Sequence, residues 1–332
     1  MTMMTTRNDY LSNTENIINS IRSIYSSYGY ERYIMSKFEE YDLYSSNRGY
    51  LVSDRLITFT DQEGRLMALK PDITLSIIKN LGDERLKKLY YNENVYRASR
   101  NDGEFREINQ LGLEVIGDVD TYQISEVLDL ALKSLSLISE SYILDITDID
   151  ITYSIVNAIT EDSRLRASYL KAVSERNEAD IRRLAKDNCS DERLLEALIS
   201  LVNIYGPLND NMSEVEEILL SVGFDDLYRD FYSKVRLIAD THVNLDFSIV
   251  SSDSYYNGIV FKGYIESIKE EVLSGGEYRN LVKKMRKKGS GIGFAVYADT
   301  LKALDEKKRG FIETSSDSKE NFCLQKQCRR RG

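Results

Sequence analysis

The first hydrophobic positions along the chain recur at helical spacing. They are Ile17, Ile18, Ile21, Ile24, Tyr25 and Tyr28. This period of about 3.6 residues predicts an amphipathic helix with one buried face. Ser12 and Glu15 stand before it at capping-box spacing. Gly29 follows where a left-handed residue commonly ends a helix, and residues 30–38 should then run extended and pair in a sheet.

Short segments rich in alternating or β-branched residues predict most of that sheet. The predicted strands are 56–60, 65–70, 88–96, 105–116, 143–152, 243–250 and 258–264, and the predicted helices between them are 73–81 and 120–137. Gly64 lies in the turn between the first two strands, and Pro71 ends the second of them. Strands and helices therefore share the same part of the chain.

The middle of the chain changes to an almost purely helical pattern, as in Leu194, Leu195, Leu198 and Leu201. We predict a core over residues 1–152, a helical insertion over 153–238, the second part of the core over 239–304 and a loose tail over 305–332. The expected fold class is α+β, with a mostly antiparallel sheet flanked by helices and interrupted by the insertion.

Composition narrows the class of protein. The 332 residues carry a formal net charge of −10, which disfavours nucleic acid as a partner because that binding depends on Lys and Arg contacts to phosphate. The cysteines Cys189, Cys323 and Cys328 are too few and too scattered for a disulfide framework, which fits a reducing cytoplasm. No signal-peptide pattern or membrane-spanning apolar run is evident.

The sequence also gives little support for a metal site or cofactor. His242 is the only histidine, so a zinc site built on two histidines is excluded. Asp145, Asp148 and Asp150 lie on a predicted strand but lack the spacing and glycine of a calcium loop. We therefore expect neither a metal nor a cofactor.

The segment 96–117, YRASRNDGEFREINQLGLEVIG, concentrates the candidate chemistry. Gln110, Gly112 and Glu114 alternate along one strand, so they share one face of the sheet, and the glycine leaves room above it. Arg97 offers the planar donor fork that binds oxyanions. Together with YYNGIVF at 255–261, this segment resembles the adenylate-forming site of a class II aminoacyl-tRNA synthetase of the histidyl type.

The resemblance extends over roughly residues 10–300 and rests on five segments in the family's order. They are 29–39, 69–74, 96–117, 254–261 and 275–301. The chain is similar to histidyl-tRNA synthetase. It is more closely similar to a group of non-synthetase relatives, the regulatory subunits of ATP phosphoribosyltransferase. The first segment resembles the family's dimer-forming motif, so the resemblance implies self-dimerisation through the class II core.

The resemblance implies histidine-binding roles for seven residues. They are Asp72, Thr74, Arg97, Gln110, Glu114, Tyr255 and Tyr256. In such a pocket the Asp72 carboxylate pairs with the ligand ammonium group and Thr74 adds a hydrogen bond. Arg97 pairs with the carboxylate, Gln110 and Glu114 recognise the amino acid, and the two tyrosines wall the imidazole. A buried ammonium needs such a charged partner.

The positions expected to hold ATP differ from the family pattern. Ser99 replaces a glutamate, and Ser251 and Glu277 stand where the family has arginines. The family's Glu-Arg-Leu is Asp299-Thr300-Leu301. Adenylate formation depends on preorganised positive charge around the phosphates, so these departures predict a chain without synthetase activity.

The function implied is that of a regulatory, non-catalytic subunit for the first step of histidine biosynthesis. It would join a separate short-form catalytic subunit of ATP phosphoribosyltransferase in a hetero-octamer, activate it and convey feedback by L-histidine. Two alternatives remain. One is a truncated histidyl-tRNA synthetase or another amino-acid-activating enzyme, and the other is an assembly scaffold that binds no ligand.

Overall fold

The structure is a computed structural model of the chain. It describes residues 12–47, 49, 51, 55–82, 85–98, 103–186, 191–250, 255–266 and 268–301. The predicted tail, all three cysteines and the departures at Ser99 and Ser251 lie outside these residues.

Strands and helices share the first part of the described chain, and helices dominate its middle. The helices are α1 (Asn13–Ser27), α2 (Tyr41–Ser45), α3 (Ile73–Asn80), α4 (Thr121–Ile138), α5 (Ile149–Ile159), α6 (Ser163–Ser174), α7 (Glu178–Ala185), α8 (Glu192–Asn203), α9 (Leu208–Ser221), α10 (Asp225–Val235) and α11 (Arg279–Lys284). The strands are β1 (Glu31–Arg32), β2 (Phe38–Glu40), β3 (Thr58–Thr60), β4 (Leu66–Leu69), β5 (Leu86–Ala98), β6 (Phe105–Gly117), β7 (Tyr142–Asp148), β8 (Tyr205–Pro207), β9 (Val243–Asp246), β10 (Ile259–Ile265), β11 (Ile268–Glu277) and β12 (Ser290–Tyr297).

Within the described residues these strands form two sheets. The larger has nine strands in the order β1-β5-β6-β12-β11-β10-β7-β9-β8, and the smaller has the order β2-β4-β3. In the larger sheet β1–β5 and β7–β9 are parallel pairs, and the other neighbours are antiparallel. The predicted α+β class with a mostly antiparallel sheet is confirmed.

Helix α1 begins where the capping box places it. The Glu15 backbone N–H donates to the Ser12 hydroxyl (3.2 Å), and the Ser12 N–H donates to the Glu15 carboxylate (2.8 Å). Tyr25 lies on the buried face, and its hydroxyl is 2.9 Å from the Ser134 hydroxyl of α4. Gly29 follows with φ +81°, the left-handed conformation expected there.

The long hairpin of β5 and β6 lies near one edge of the large sheet, between β1 and β12. Its register runs from the pair Leu86–Gly117 to the pair Ala98–Phe105. The second half of β6 is buried because β12 pairs along its other edge, as far as Tyr297 opposite Gln110. The predicted strands 88–96 and 105–116 are confirmed, with ends that differ by a few residues.

The predicted strand over 143–152 is wrong beyond Asp148. There the Asp148 carboxylate accepts a hydrogen bond from the Asp150 N–H (3.0 Å) and caps α5. Alternating isoleucine and aspartate fit a strand, but Ile149 and Thr152 also fall on the buried face of a helix. The Asp148 carboxylate caps the first turn and so starts the helix there, although the alternating sequence gives no sign of a helix start.

Two other predicted strands are only partly paired, and one part of the region predicted as helical is a strand. Of residues 30–38, Glu31–Arg32 pair with β5 and Phe38 with β4. The predicted strand 243–250 ends at Asp246. Residues 205–207, in the region predicted as helical, form the edge strand β8 instead. Its Pro207 lacks an N–H and therefore suits the edge of a sheet.

The helices α5 to α10 pack onto the sheet rather than standing apart from it. One continuous cluster of buried residues joins Leu201 and Phe231 of these helices to Ile21 of α1 and Phe294 of β12. The boundaries of the helical insertion therefore remain a prediction, because the insertion and the core share apolar packing. None of the described helices is long and apolar enough to cross a membrane.

Candidate functional site

A cavity of about 400 Å³ lies above the centre of the large sheet. All seven residues proposed from the sequence line it: Asp72, Thr74, Arg97, Gln110, Glu114, Tyr255 and Tyr256. They come from the start of α3, from β5 and β6, and from the loop before β10. The structure therefore brings together residues that are far apart in the chain.

Asp72 and Arg97 form the charged side of this cavity. One Asp72 carboxylate oxygen caps α3 by accepting the Leu75 N–H (2.8 Å), and the other lies 3.7 Å from Nη2 of Arg97. Nε of Arg97 donates to the Pro71 carbonyl (2.6 Å), which fixes the direction of the guanidinium. Burial raises the pKa of the Asp72 carboxyl, whereas Arg97 and the backbone N–H groups lower it.

Glu114 lies on the floor of the cavity with both oxygens hydrogen-bonded. The Thr74 hydroxyl donates to Oε1 (2.6 Å), and the Tyr278 hydroxyl donates to Oε2 (2.5 Å). Burial raises the pKa of Glu114 to about 8; Asp72 acts in the same direction, and the two donors act against it. Glu114 can therefore gain or lose a proton close to neutral pH.

Three tyrosine rings form an aromatic wall. The ring centroids of Tyr255 and Tyr256 are 4.7 Å apart in an edge-to-face arrangement, and those of Tyr255 and Tyr278 are 6.0 Å apart. Burial raises the pKa of all three hydroxyls well above the ordinary value, so they stay protonated. Rigid aromatic walls of this kind suit a flat ring with polar edges.

Two glycines shape the floor. Gly112 was expected to leave room above the sheet, and the ring of its cross-strand partner Tyr91 fills that room, lying where a Gly112 Cβ would be. A Cβ on Gly293 of β12 would collide with the carboxylate of Glu114, its partner across the two strands. These glycines allow Tyr91 and Glu114 to lie close to the backbone of neighbouring strands.

Several lining residues were not predicted from the sequence. They are Tyr91, Lys262, Glu271, Ser274, Tyr278 and Tyr297, among others. Lys262 and Glu271 form an ion pair at 3.0 Å, and the hydroxyls of Ser274 and Tyr297 are 2.6 Å apart. Tyr278 directly follows Glu277 in a segment that the sequence already singled out, so it could have been found. The others depend on strand register, which no local pattern specifies.

Glu277 is not among the cavity-lining residues. Its carboxylate accepts the Ile259 N–H (2.9 Å) and pairs with Nζ of Lys234 (3.0 Å). Asp299 accepts the Asn109 N–H (2.7 Å), and the Thr300 hydroxyl donates to the Tyr297 carbonyl (2.5 Å). Each of these side chains thus has a structural partner within the protein.

The cavity combines the Arg97 cation, the acids Asp72 and Glu114, and aromatic walls. This arrangement suits a small zwitterion with a flat polar side chain, because each charge would meet an opposite charge. Within the described ranges, no group of three or more His, Cys, Asp and Glu side chains is arranged to hold a metal ion.

The fold and this cavity define the class II aminoacyl-tRNA synthetase-like core expected from the sequence. Residues 8–301 match the family model described as histidyl-tRNA synthetase, so the chain belongs to that family. Membership gives the fold and ancestry of the chain and leaves its activity to be argued separately.

Among its relatives are proteins named ATP phosphoribosyltransferase regulatory subunit. The one from Clostridium botulinum is 26% identical over 92% of this chain and 75% of the relative. One from Bacillus cereus is 25% identical over 91% of this chain and 75% of the relative. The closer resemblance to these regulatory subunits that the sequence predicted is thus supported by relatives that align along nearly all of the chain.

Solved structures agree on the fold. An ATP phosphoribosyltransferase regulatory subunit/histidyl-tRNA synthetase from Bacillus halodurans superposes with a TM-score of 0.75 at 22% identity, covering 97% of this chain and 90% of that one. A histidyl-tRNA synthetase from Nostoc has a TM-score of 0.72 at 16% identity, covering 93% and 75%. A chain of the ATP phosphoribosyl transferase (HisG:HisZ) complex from Thermotoga maritima has 0.64 at 19% identity, covering 87% and 98%.

Proposed function

We propose that this chain is the regulatory, non-catalytic subunit of ATP phosphoribosyltransferase, the enzyme of the first step of histidine biosynthesis. The observation that supports this most directly is the cavity that places Asp72, Arg97 and Glu114 beside a tyrosine wall. The names of its relatives point to the same function. We expect the chain to act in the cytoplasm, where amino-acid biosynthesis takes place.

In this proposal L-histidine is the effector. Its ammonium group pairs with Asp72, its carboxylate with Arg97, and its imidazole lies between Glu114 and the rings of Tyr255 and Tyr256. Thr74 and Gln110 complete the polar contacts. Such a pocket rejects analogues that lack one of these groups, because a buried charge is then left without a partner.

The non-catalytic assignment is supported by the residues at the ATP-binding positions. Glu277, outside the lining of the cavity, is held by Lys234 and Ile259, and Asp299 is held by Asn109. Neither side chain offers the positive charge that stabilises a pentavalent phosphate. A synthetase would need those cations from another source.

The partner is a separate short-form catalytic subunit, and we propose a hetero-octamer with it. Histidine regulates that assembly if it binds one conformation more tightly than the other. Self-dimerisation through the class II core is supported by exposed apolar side chains on and beside the small sheet. Ile34 is 69% exposed, and the rings of Phe38 and Phe59, which are 47% and 38% exposed, lie 5.2 Å apart.

Isothermal titration of the purified chain with L-histidine tests the proposal. Asp72→Ala should weaken binding by at least about thirtyfold, because an unpaired buried charge costs about 2–5 kcal/mol. Asp162→Ala is the matched control: Asp162 also caps a helix, α6, but lies outside the cavity. This control separates the loss of a cap from the loss of the ligand contact.

The same samples should then be mixed with a short-form catalytic subunit, and phosphoribosyl transfer should be measured with and without L-histidine. We expect activation that L-histidine reverses. A folded chain that activates its partner without any histidine response would be a ligand-independent scaffold. ATP–pyrophosphate exchange by the chain alone would identify it as an amino-acid-activating enzyme. Either result would contradict the proposal.

A further inference from the structure

A lysine of the helical region is buried outside the lining of the proposed histidine cavity. The Lys234 side chain on α10 is only 5% exposed, and its Nζ lies 3.0 Å from Oε1 of Glu277 and 3.4 Å from Oδ2 of Asp148. Asp230, one turn earlier on the same helix, adds a third carboxylate at 2.7 Å. Three acids from α10, β7 and β11 therefore share one ammonium group.

Glu277 connects this lysine to the loop that supports the tyrosine wall. Its carboxylate accepts the Ile259 N–H, and its backbone carbonyl accepts the Asn257 N–H (both 2.9 Å). Gly258 between them has φ +74°, and a Cβ there would collide with the Glu277 carboxylate. Glu277 thus fixes the segment that directly follows Tyr255 and Tyr256.

The next residue extends the connection into the cavity itself. Tyr278 is fully buried, and its hydroxyl donates to Oε2 of Glu114 on the cavity floor. A shift of Glu277 along β11 would therefore displace Tyr278 and the donor that Glu114 receives. Close-packed interiors transmit such shifts, because few voids exist to absorb them.

We propose that Lys234 is a positioning residue that couples the helical region to the histidine cavity through Glu277. This inference rests on the proposed function for the identity of the ligand. The sequence has a carboxylate at position 277 where the family resemblance leads us to expect an arginine. The nearer cation is Lys234 of α10 at 3.0 Å, and the half-exposed Arg279 lies farther away at 3.9 Å. Without the ammonium group, two buried carboxylates would remain without their shared cation.

The test compares Lys234→Met with Lys171→Met in the full chain. Lys171 is an exposed lysine of α6 whose side chain is 74% exposed, so it controls for the loss of one positive charge. We expect Lys234→Met to weaken L-histidine binding by about 2- to 30-fold, the usual range for mutations that act through a network. Lys171→Met should leave binding unchanged.

A double-mutant cycle with Glu277→Gln separates coupling from a general loss of stability. If Lys234 acts through Glu277, Lys234→Met should change histidine affinity less than about twofold in the Glu277→Gln background. Additive effects would overturn the proposal. If Lys234→Met does not fold, the histidine affinity of Glu277→Gln alone tests the coupling, because this variant leaves Lys234 paired with Asp148 and Asp230. An affinity equal to that of the wild type would then overturn the proposal.

A second measurement needs no ligand. In protein with 13C-labelled tyrosine, the Tyr278 resonance is assigned by its loss in Tyr278→Phe. We expect Lys234→Met or Glu277→Gln to shift this resonance and Lys171→Met to leave it in place. An unmoved Tyr278 resonance would overturn the coupling. If the wild type bound no histidine, the proposed function would be wrong, but this resonance would still test whether Lys234 is coupled to the cavity.

Discussion

The Thr74 hydroxyl donates to Oε1 of Glu114 at 2.6 Å, and this bond joins the first turn of α3 to the middle of β6. Because the Tyr278 hydroxyl occupies the other oxygen, the carboxyl group of Glu114 is oriented before any ligand arrives. Such preorganisation lowers the ordering cost of binding.

Thr74→Val removes this donor with little change in shape. We expect the free energy of unfolding to fall by about 1–3 kcal/mol, because a buried oxygen of Glu114 loses its partner. Urea unfolding measures the change. Thr60→Val on the exposed strand β3 is the control, and an equal loss in both variants would show that the hydrogen bond contributes nothing specific.

Glu114 should make stability depend on pH. Its pKa of about 8 in the folded protein is above its ordinary value of 4.5, so folding favours the protonated acid. The resulting stability is fully present below about pH 4.5 and is lost as pH rises through about 8. Asp72, whose pKa is also raised by burial, acts with the same sign.

The measurement is urea unfolding at pH 5, 7 and 9 for the wild type and Glu114→Gln. The wild type should lose a few kcal/mol more than the variant across this range, since a tenfold change in a proton-binding constant corresponds to about 1.4 kcal/mol. Parallel pH profiles for the two proteins would count against a neutral buried Glu114.

Histidine binding should show a different, bell-shaped pH dependence. Glu114 titrates near pH 8 and a free imidazole near about 6.5, and the bound pair needs one proton between them. Affinity should therefore be highest between these values and fall on both sides. Titration calorimetry from pH 5 to 9 tests this, and Glu114→Gln should lose the alkaline limb. An affinity that is constant with pH would exclude Glu114 as the imidazole partner.

Arg97 should determine the preference for a carboxylate. We expect the wild type to bind L-histidine about ten- to a hundredfold more tightly than L-histidinol, which lacks that group, because hydrogen bonds to charged groups contribute about 1.5–3 kcal/mol. Arg97→Met should bind the two ligands about equally. If the preference survived this substitution, another cation would have to hold the carboxylate.

Gly258 should tolerate a side chain less well than Gly223. Both have positive φ, +74° and +78°, but a Cβ meets the Glu277 carboxylate only at Gly258 and open space at Gly223. Gly223→Ala should cost about 1–2 kcal/mol for the left-handed backbone alone. Gly258→Ala should cost about 1–3 kcal/mol more for the collision. Equal losses by urea unfolding would mean that Glu277 moves aside freely.

Local patterns were sufficient for elements whose signals agree. The capping box at Ser12, the isoleucine face of α1 and Gly29 specify one helix from start to end, and the structure has it. Local patterns were insufficient where the hydrophobic positions fit both the two-residue repeat of a strand and the 3.6-residue repeat of a helix. Residues 149–152 fit a strand by alternation and a helix by burial, and the Asp148 cap decided between them.

The residues of the candidate site also fall into two groups, those that the sequence suggested and those that only the fold brings to the cavity. The seven residues suggested by the family resemblance all line one cavity, although their contact with histidine remains a prediction. Tyr297 could not be found from its own neighbourhood, because its place opposite Gln110 depends on β12 pairing with β6. Lys234 lies in a helix whose sequence suggests an exposed charged face, and only the packing of α10 shows that it is buried.

The floor of the cavity is completed by β12, which is synthesised after every helix of the middle region yet pairs directly with β6. A growing chain that already contains Asp72 and Glu114 still lacks the strand beside them. Pairing between segments so far apart in sequence is slow, because a long loop must be closed before the contacts form. Under the proposed function, L-histidine would therefore find a complete pocket only in a chain whose β12 has joined the sheet beside Glu114.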